Sequence, residues 1–409
     1  MLRAAVTTLI RGTQASSLTL RRSVRLVNPG WLSVLAAFGL SVIGVYGIDL
    51  ARNPSGGGLG SIAQKQVIFI TIGIAGGVII AAPHYRWLVH LARPAMLVSV
   101  LLMIFLILPF VPESIVKPKN GTRGWINLQV ADFQPSEVAK IAYVLVIARY
   151  LRYREEHRRF LGLVPLGLIT FVPVGLILLQ PDLGTACLFI PSLFAMLLAA
   201  GARLRHLAVI VLIGALAAPA AYPLLRPHQK ARLIGLLKQV QDDRTSEDNL
   251  NYQAFRAQEV AGAGQWSGVS DAHARALIRY NRLPEGHNDM IFSVVVCRFG
   301  MVGGLGVIAL SGVWVLGALG AAASCREPFG RLICVGLSAF VATQAVINIG
   351  MNLGVLPIIG ITLPFVSYGG SSILSCWLMT ALVFSVGLHR PVRPHRPSFE
   401  FEDDEAPAA

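Results

Sequence analysis

Runs of apolar residues alternate with short basic links along nearly the whole chain. At about 20 residues of helix per bilayer crossing, the pattern predicts about ten transmembrane helices and an all-α polytopic membrane protein. The windows are Trp31–Leu50, Val67–Ala82, Pro94–Val111, Pro135–Leu151, Leu161–Leu179, Leu183–Ala200, Leu207–Leu225, Met290–Leu319, Leu332–Leu353 and Leu363–Leu388. Between helices 7 and 8 the chain stays mostly polar over residues 226–288, far too long for a tight turn. Arg149, Arg152, Arg154, Arg158 and Arg159 form the densest basic cluster; Arg203 and Arg205, Arg326 and Arg331, and Arg390, Arg393 and Arg396 occupy other links. Placing the N-terminus inside puts every short basic link in the cytoplasm, as the positive-inside rule requires. Both termini then lie inside and the 226–288 loop lies outside, because long loops translocate largely regardless of charge.

Composition narrows the class further. The 409 residues are 54% hydrophobic and only 14% charged, with a mean hydropathy of +0.63, which excludes an ordinary soluble protein. The 35 basic against 21 acidic residues, net +14, cluster between apolar runs and so speak for topology, with no nucleic-acid partner expected. Five cysteines without CxxC spacing suggest neither a disulfide framework nor a zinc site. Residues 1–28 carry Arg3, Arg11, Arg21, Arg22 and Arg25 and superficially match an organelle transit peptide. Their position directly before a span favours a basic cytoplasmic tail. Residues 29–390 form the transmembrane domain, and residues 391–409, with Glu400, Glu402, Asp403, Asp404 and Glu405, are expected to be a disordered acidic tail.

Chemistry is expected where polar chain meets span. Leu283-Pro284-Glu285-Gly286-His287-Asn288-Asp289 crowds two carboxylates and an imidazole at the foot of an apolar run. A carboxylate at a bilayer boundary loses hydration and gains basicity, so Asp289 is the leading candidate for a general base; a helix-capping Asp is the plainer alternative. Glu137 and Lys140, three apart, share a helix face and can pair. Asp182 sits between two spans and either caps the next helix or lines a polar path. Ser367-Tyr368-Gly369-Gly370-Ser371-Ser372 permits close helix packing or lines a wet cleft. In the external loop, Arg226, Lys230, Arg232, Lys238, Arg244 and Arg256, with Gly262, Gly264 and Gly268, either hold a diphosphate on side chains and open amides or make a solvated face.

Several of these segments together resemble the SEDS family. The match rests on Asn120-Gly121-Thr122-Arg123-Gly124-Trp125-Ile126, on Gln134-Pro135-Ser136-Glu137 with Lys140, and on Gln180-Pro181-Asp182-Leu183-Gly184-Thr185. It continues through Tyr252-Gln253, Leu283-Pro284-Glu285 with His287 and Asp289, Asn348 through Gly354, and Leu363 through Ser372. The resemblance implies a multi-pass protein of the bacterial plasma (inner) membrane that polymerises lipid II into undecaprenyl-linked glycan. It also implies a class B penicillin-binding protein as transpeptidase partner, alongside other elongation or division proteins. Asp289 stands in the place of the family's essential carboxylate, and Glu137 and Lys140 match a pair near the central cavity.

In that reading Asp289 deprotonates the acceptor hydroxyl, and Arg123, Asp182, Glu285, His287, Ser367 and Tyr368 line the substrate site. The departing diphosphate is met by Arg123, by loop arginines, or by a divalent cation, Mg2+ or Mn2+, held partly by Asp289. A protonated His287 beside Asp289 would lower its basicity. The chain departs from the family in having Cys297 and Arg298 where two glutamates are usual, and Arg256 where Gln is usual. Two other readings stay open: a lipid II flippase with Glu137, Lys140 and Asp182 along its path, and a scaffold that kept the fold and lost the chemistry.

Overall fold

The structure, a computed structural model, describes residues 26–53, 56–116, 118, 122–129, 131–154, 156–221, 223, 230 and 252–389. Residues 1–25 of the tail expected at residues 1–28, the whole tail expected at residues 391–409, and loop cations Arg226, Arg232, Lys238 and Arg244 lie outside the described residues.

The described residues form a helical bundle, as the apolar windows require. Its helices are α1 (Gly30–Arg52), α2 (Ser61–Ala81), α3 (Leu88–Ile107), α4 (Pro135–Leu151), α5 (Val164–Leu179), α6 (Leu183–Cys187), α7 (Phe189–Ala199) and α8 (Leu204–Ala221). The external segment carries α9 (Tyr252–Ala263) and α10 (Asp271–Tyr280), and α11 (Ile291–Ser324), α12 (Pro328–Asn352) and α13 (Gly370–Leu388) complete the chain. Seven helical stretches are long and apolar enough to cross a membrane, and shorter apolar helices cover Leu183–Ala199 and Leu204–Leu216. The remaining expected window is α4, which is 17 residues long and carries Glu137, Lys140 and Arg149. A two-stranded hairpin pairs β1 (Ile126–Asn127) with β2 (Asp132–Phe133) just before α4.

Packing follows small residues. α11 lies along α1 and α13 along α2. A Cβ added at Gly317 would sit 2.7 Å from the Ser33 nitrogen, and one at Gly320 would sit 2.9 Å from Pro29 Cβ, so glycine lets α1 and α11 touch backbone to backbone. Buried Trp314 on α11 donates from Nε1 to Thr380 Oγ1 of α13 at 3.0 Å, tying these helices with a satisfied polar group.

Element ends depart from the apolar windows in instructive places. α2 begins six residues before Val67, taking Gln64, Lys65 and Gln66 into its first turns. α3 begins before Pro94 and contains it. The window at Leu363 does not become helical until Gly370, because Ser367 Oγ accepts from Leu363 N at 2.7 Å and donates to Asn288 O at 2.7 Å, replacing helical bonds with local ones. α11 is two helices joined at Gly300, whose φ of 67° and ψ of −165° are open to glycine alone. The turn between α9 and α10 docks into that break: Met301 N donates to Gln265 O at 2.8 Å and Val269 N to Cys297 O at 3.1 Å, satisfying groups the broken helix leaves open.

Candidate active site

Asp289 is held by its backbone before its carboxylate does anything. The chain turns at Glu285, whose φ is 48° and whose carbonyl accepts from Asn288 N at 2.9 Å and Met290 N at 3.2 Å. Three successive carbonyls are then fixed from other elements. His287 O accepts from Tyr368 N at 2.9 Å, Asn288 O accepts from Ser367 Oγ, and Asp289 O accepts from both Asn348 Nδ2 at 2.9 Å and Asn352 Nδ2 at 2.8 Å. Asn352 Oδ1 in turn accepts from Ser293 Oγ at 2.9 Å, tying α12 to the first turn of α11. The half-buried Asp289 side chain faces Gly360, where an added Cβ would lie 3.4 Å from Oδ2.

That carboxylate lines a cavity of about 1300 Å³ whose wall mixes polar and apolar groups. Arg52 and Lys65 bring positive charge to it from the facing ends of α1 and α2, and both are exposed. Glu137 and Lys140 line it from α4 as an ion pair at 2.8 Å, both buried, with Lys140 Nζ also 3.2 Å from Gln344 Oε1 of α12. Glu285, His287, Asp182 and Tyr368 complete the candidate residues on its wall. Asp182 caps α6, accepting from Thr185 N at 2.9 Å and Thr185 Oγ1 at 2.8 Å, so capping and cavity lining coexist in one side chain. Burial pushes its carboxyl above the usual carboxylate range.

His287 differs from the expectation of a protonated imidazole beside Asp289. Burial, with the adjacent Arg52 guanidinium, lowers its pKa to about 4, and Arg52 Nε donates to its Nδ1 at 3.2 Å. The ring is therefore neutral near pH 7 and gives Asp289 no cationic neighbour.

Three other expectations move. Ser367 is buried and spends its hydroxyl on backbone, so it shapes the site while Ser371 and Ser372 line the cavity. Arg123 directs Nη2 to Val111 O at 3.4 Å and is absent from the cavity wall, although Thr122 and Trp125 beside it are on that wall. Of the loop glycines, Gly264 and Gly268 serve docking against α11, since side chains there would collide with the carbonyls of Val296 and Arg298, while Gly262 faces open space. Arg256 pairs with Glu259 at 2.7 Å outside the cavity wall.

Sequence reasoning missed Arg52, Lys65, Asn348, Asn352 and Gln344 as site residues. For Asn348 and Asn352 a signal existed: two amides four apart inside an apolar span share a face and need partners. Arg52 and Lys65 carried none, since nothing local distinguishes them from other interfacial cations. Among the described residues, no group of three or more His, Cys, Asp or Glu side chains is arranged to hold a metal ion.

A family model for FtsW, RodA and SpoVE, described as a cell cycle protein, matches residues 30–391. The chain belongs to this family. Within the FtsW, RodA and SpoVE family, the probable peptidoglycan glycosyltransferase FtsW of Saccharophagus degradans is 34% identical over 332 residues, covering 80% of this chain and 82% of that protein. Stage V sporulation protein E of Bacillus subtilis is 30% identical over 331 residues, covering 80% and 85%. Among solved structures, a chain from one described as the structural coordination of polymerization and crosslinking by a peptidoglycan synthase complex superposes with a TM-score of 0.73. It is 28% identical, with 87% of this chain and 97% of that chain covered. The rod shape determining protein RodA of Thermus thermophilus gives a TM-score of 0.64 at 25% identity, over 89% and 98%.

Proposed function

We propose that the chain is a peptidoglycan glycosyltransferase that polymerises lipid II, with Asp289 as general base. The observation that carries the reading is a half-buried carboxylate, fixed through its own backbone, on a large cavity that also presents Arg52 and Lys65. The acceptor 4-hydroxyl attacks the donor's anomeric carbon as Asp289 takes its proton. The bond from that carbon to the diphosphate breaks with inversion, and the lipid diphosphate leaves with the electron pair. Arg52 and Lys65, rather than Arg123, meet the charge that develops on it. Asp289 together with diphosphate oxygens is a donor set suited to Mg2+ or Mn2+, which would add Lewis-acid stabilisation of the leaving group. A neutral His287 adds no positive charge that would lower the basicity of the Asp289 carboxylate.

Seven helices of span length, with shorter helices in the remaining apolar windows, support a reading with ten crossings of a bacterial plasma membrane. Both termini then lie in the cytoplasm and the α9–α10 segment outside, where a class B penicillin-binding protein would crosslink the product. Lipid II, undecaprenyl-linked glycan and such a transpeptidase are the implied partners. Cysteine labelling tests the topology: position 158 should react only from the cytoplasm and position 273 only from outside. Purified protein given lipid II, with and without Mg2+ or Mn2+ and a cognate transpeptidase, should produce a ladder of glycan strands. No ladder under any of these conditions would sink the enzyme reading in favour of transport or scaffolding.

A further inference from the structure

Arg298, the departure from the family's acidic pattern, is part of a row of alternating charges. Its Nε donates to Asp271 Oδ1 of α10 and approaches Tyr46 OH of α1 at 3.1 Å, and one terminal nitrogen donates to Val269 O at 3.2 Å. Tyr46 OH donates to the same carboxylate at 2.6 Å. One helical turn along α10, Arg275 donates to Asp49 Oδ2 of α1 at 2.8 Å and to the Asp49 and Asn53 carbonyls. Asp271 and Arg275 are four apart on α10 and Tyr46 and Asp49 three apart on α1, so each pair shares a helix face, and the row of charges reads Arg298, Asp271, Arg275, Asp49. The inverted charge at 298 thus meets an acid supplied by this chain.

The row lies at both ends of the piece of chain that carries Asp289. On one side, α10 leads through residues 281–283 into the Glu285 turn, with Leu283 N donating to Ile278 O at 3.3 Å. On the other, Asp289 stands at the head of the short helical segment 291–299, and Arg298 is at that segment's far end, just before the break at Gly300. A rigid segment held at its far end by the clasp transmits the clasp's position to its head. The Arg298 and Asp271 side chains are 27% and 44% exposed, too wet for the pair to matter much to global stability. Its loss should therefore be felt as misplacement.

We propose that Arg298 is a positioning residue: with Asp271 and Tyr46 it clasps α10 to α1 and α11 and so sets where Asp289 stands in the cavity. The inference rests on the reading of Asp289 as the base. Loosening a clasp remote from the bound lipid should slow turnover without weakening binding, because small misplacements of a reacting group are expensive.

The test uses the full-length protein in detergent or nanodiscs, with hydrogen exchange at residues 281–290, melting temperature, and kcat and KM for lipid II. Arg298→Gln should raise exchange there and lower kcat about tenfold, with KM within about twofold and little change in melting temperature. Arg298→Lys should recover much of the loss, and Arg298→Gln with Asp271→Asn should cost less than the two single losses combined. A folded Arg298→Gln protein with unchanged exchange and kcat would overturn the proposal, as would a loss of kcat that tracks melting temperature and is not recovered by Lys. Should Arg298→Gln fail to fold, Tyr46→Phe, which removes one clasp hydroxyl, must show the same direction on exchange and kcat. Asp289→Asn, run alongside, separates the two readings. An inert Asp289→Asn with a tight, active Arg298→Gln sinks the clasp alone, and an active Asp289→Asn sinks the base assignment whatever the exchange shows.

Discussion

Lys140 Nζ stands 2.8 Å from Glu137 Oε1, and both side chains are almost wholly withdrawn from solvent on α4. Each charge makes the other tolerable, so removing one leaves a buried charge unpaired. Glu137→Gln or Lys140→Met should each cost about 3 kcal/mol or more, whereas the double change should cost less than the worse single. Equilibrium unfolding in mild detergent measures this, and additive losses would show that the two charges are independent.

Asp289→Asn keeps the side-chain volume and removes basicity. The variant should insert and fold normally while glycan synthesis falls about a hundredfold or more. Glu285→Gln should be milder, because the Glu285 carboxylate is already engaged by Asn288 Nδ2 at 2.6 Å. A quantitative polymerisation assay on lipid II decides both.

His287 gives a pH prediction with a definite sign. Its pKa is depressed from 6.5 to about 4, so the unfolded chain binds the proton more readily than the folded one. The stability this neutral ring contributes is present above pH 6.5 and declines as pH falls towards 4, by about 3 kcal/mol in all. His287→Gln should flatten that part of the stability profile. In the activity profile between pH 5.5 and 8, about the range where an ordinary histidine titrates, the same change should leave the acidic limb in place.

Gly300 and Gly262 should respond oppositely to alanine. At Gly300 a side chain meets both a backbone conformation closed to it and the Trp266 carbonyl, so Gly300→Ala should cost about 3 kcal/mol or more. Gly262 sits at the end of α9 with nothing within 4 Å of an added Cβ, and Gly262→Ala should be neutral or stabilising by about 0.5 kcal/mol. Thermal unfolding of the purified variants compares them directly.

The helical class was legible because membrane helices need long apolar runs, and the pairing of Glu137 with Lys140 was legible because three residues is less than one helical turn. Helix ends were not. Nothing in apolar length marks that Gln64, Lys65 and Gln66 join α2, or that Ser367 pulls residues 363–369 out of α13. Asp289 was a candidate from its boundary position and the family resemblance, and it does line the cavity, but its backbone anchors on Asn348 and Asn352 come from a helix far along the chain. Arg298 could be recognised only as a departure, since its partner Asp271 lies 27 positions away and is brought to it by the docking of a turn into a helix break.

The clasp also closes a ring of chain from Asp271 to Arg298, with Asp289 inside it. Both ends of that ring are anchored to fixed helices, so its contour length is set. Inserting or deleting a single residue within it would rotate or displace the carboxylate, however conservative the added side chain. Related chains that vary in the number of external residues should therefore do so before α9, leaving the Asp271–Arg298 interval constant.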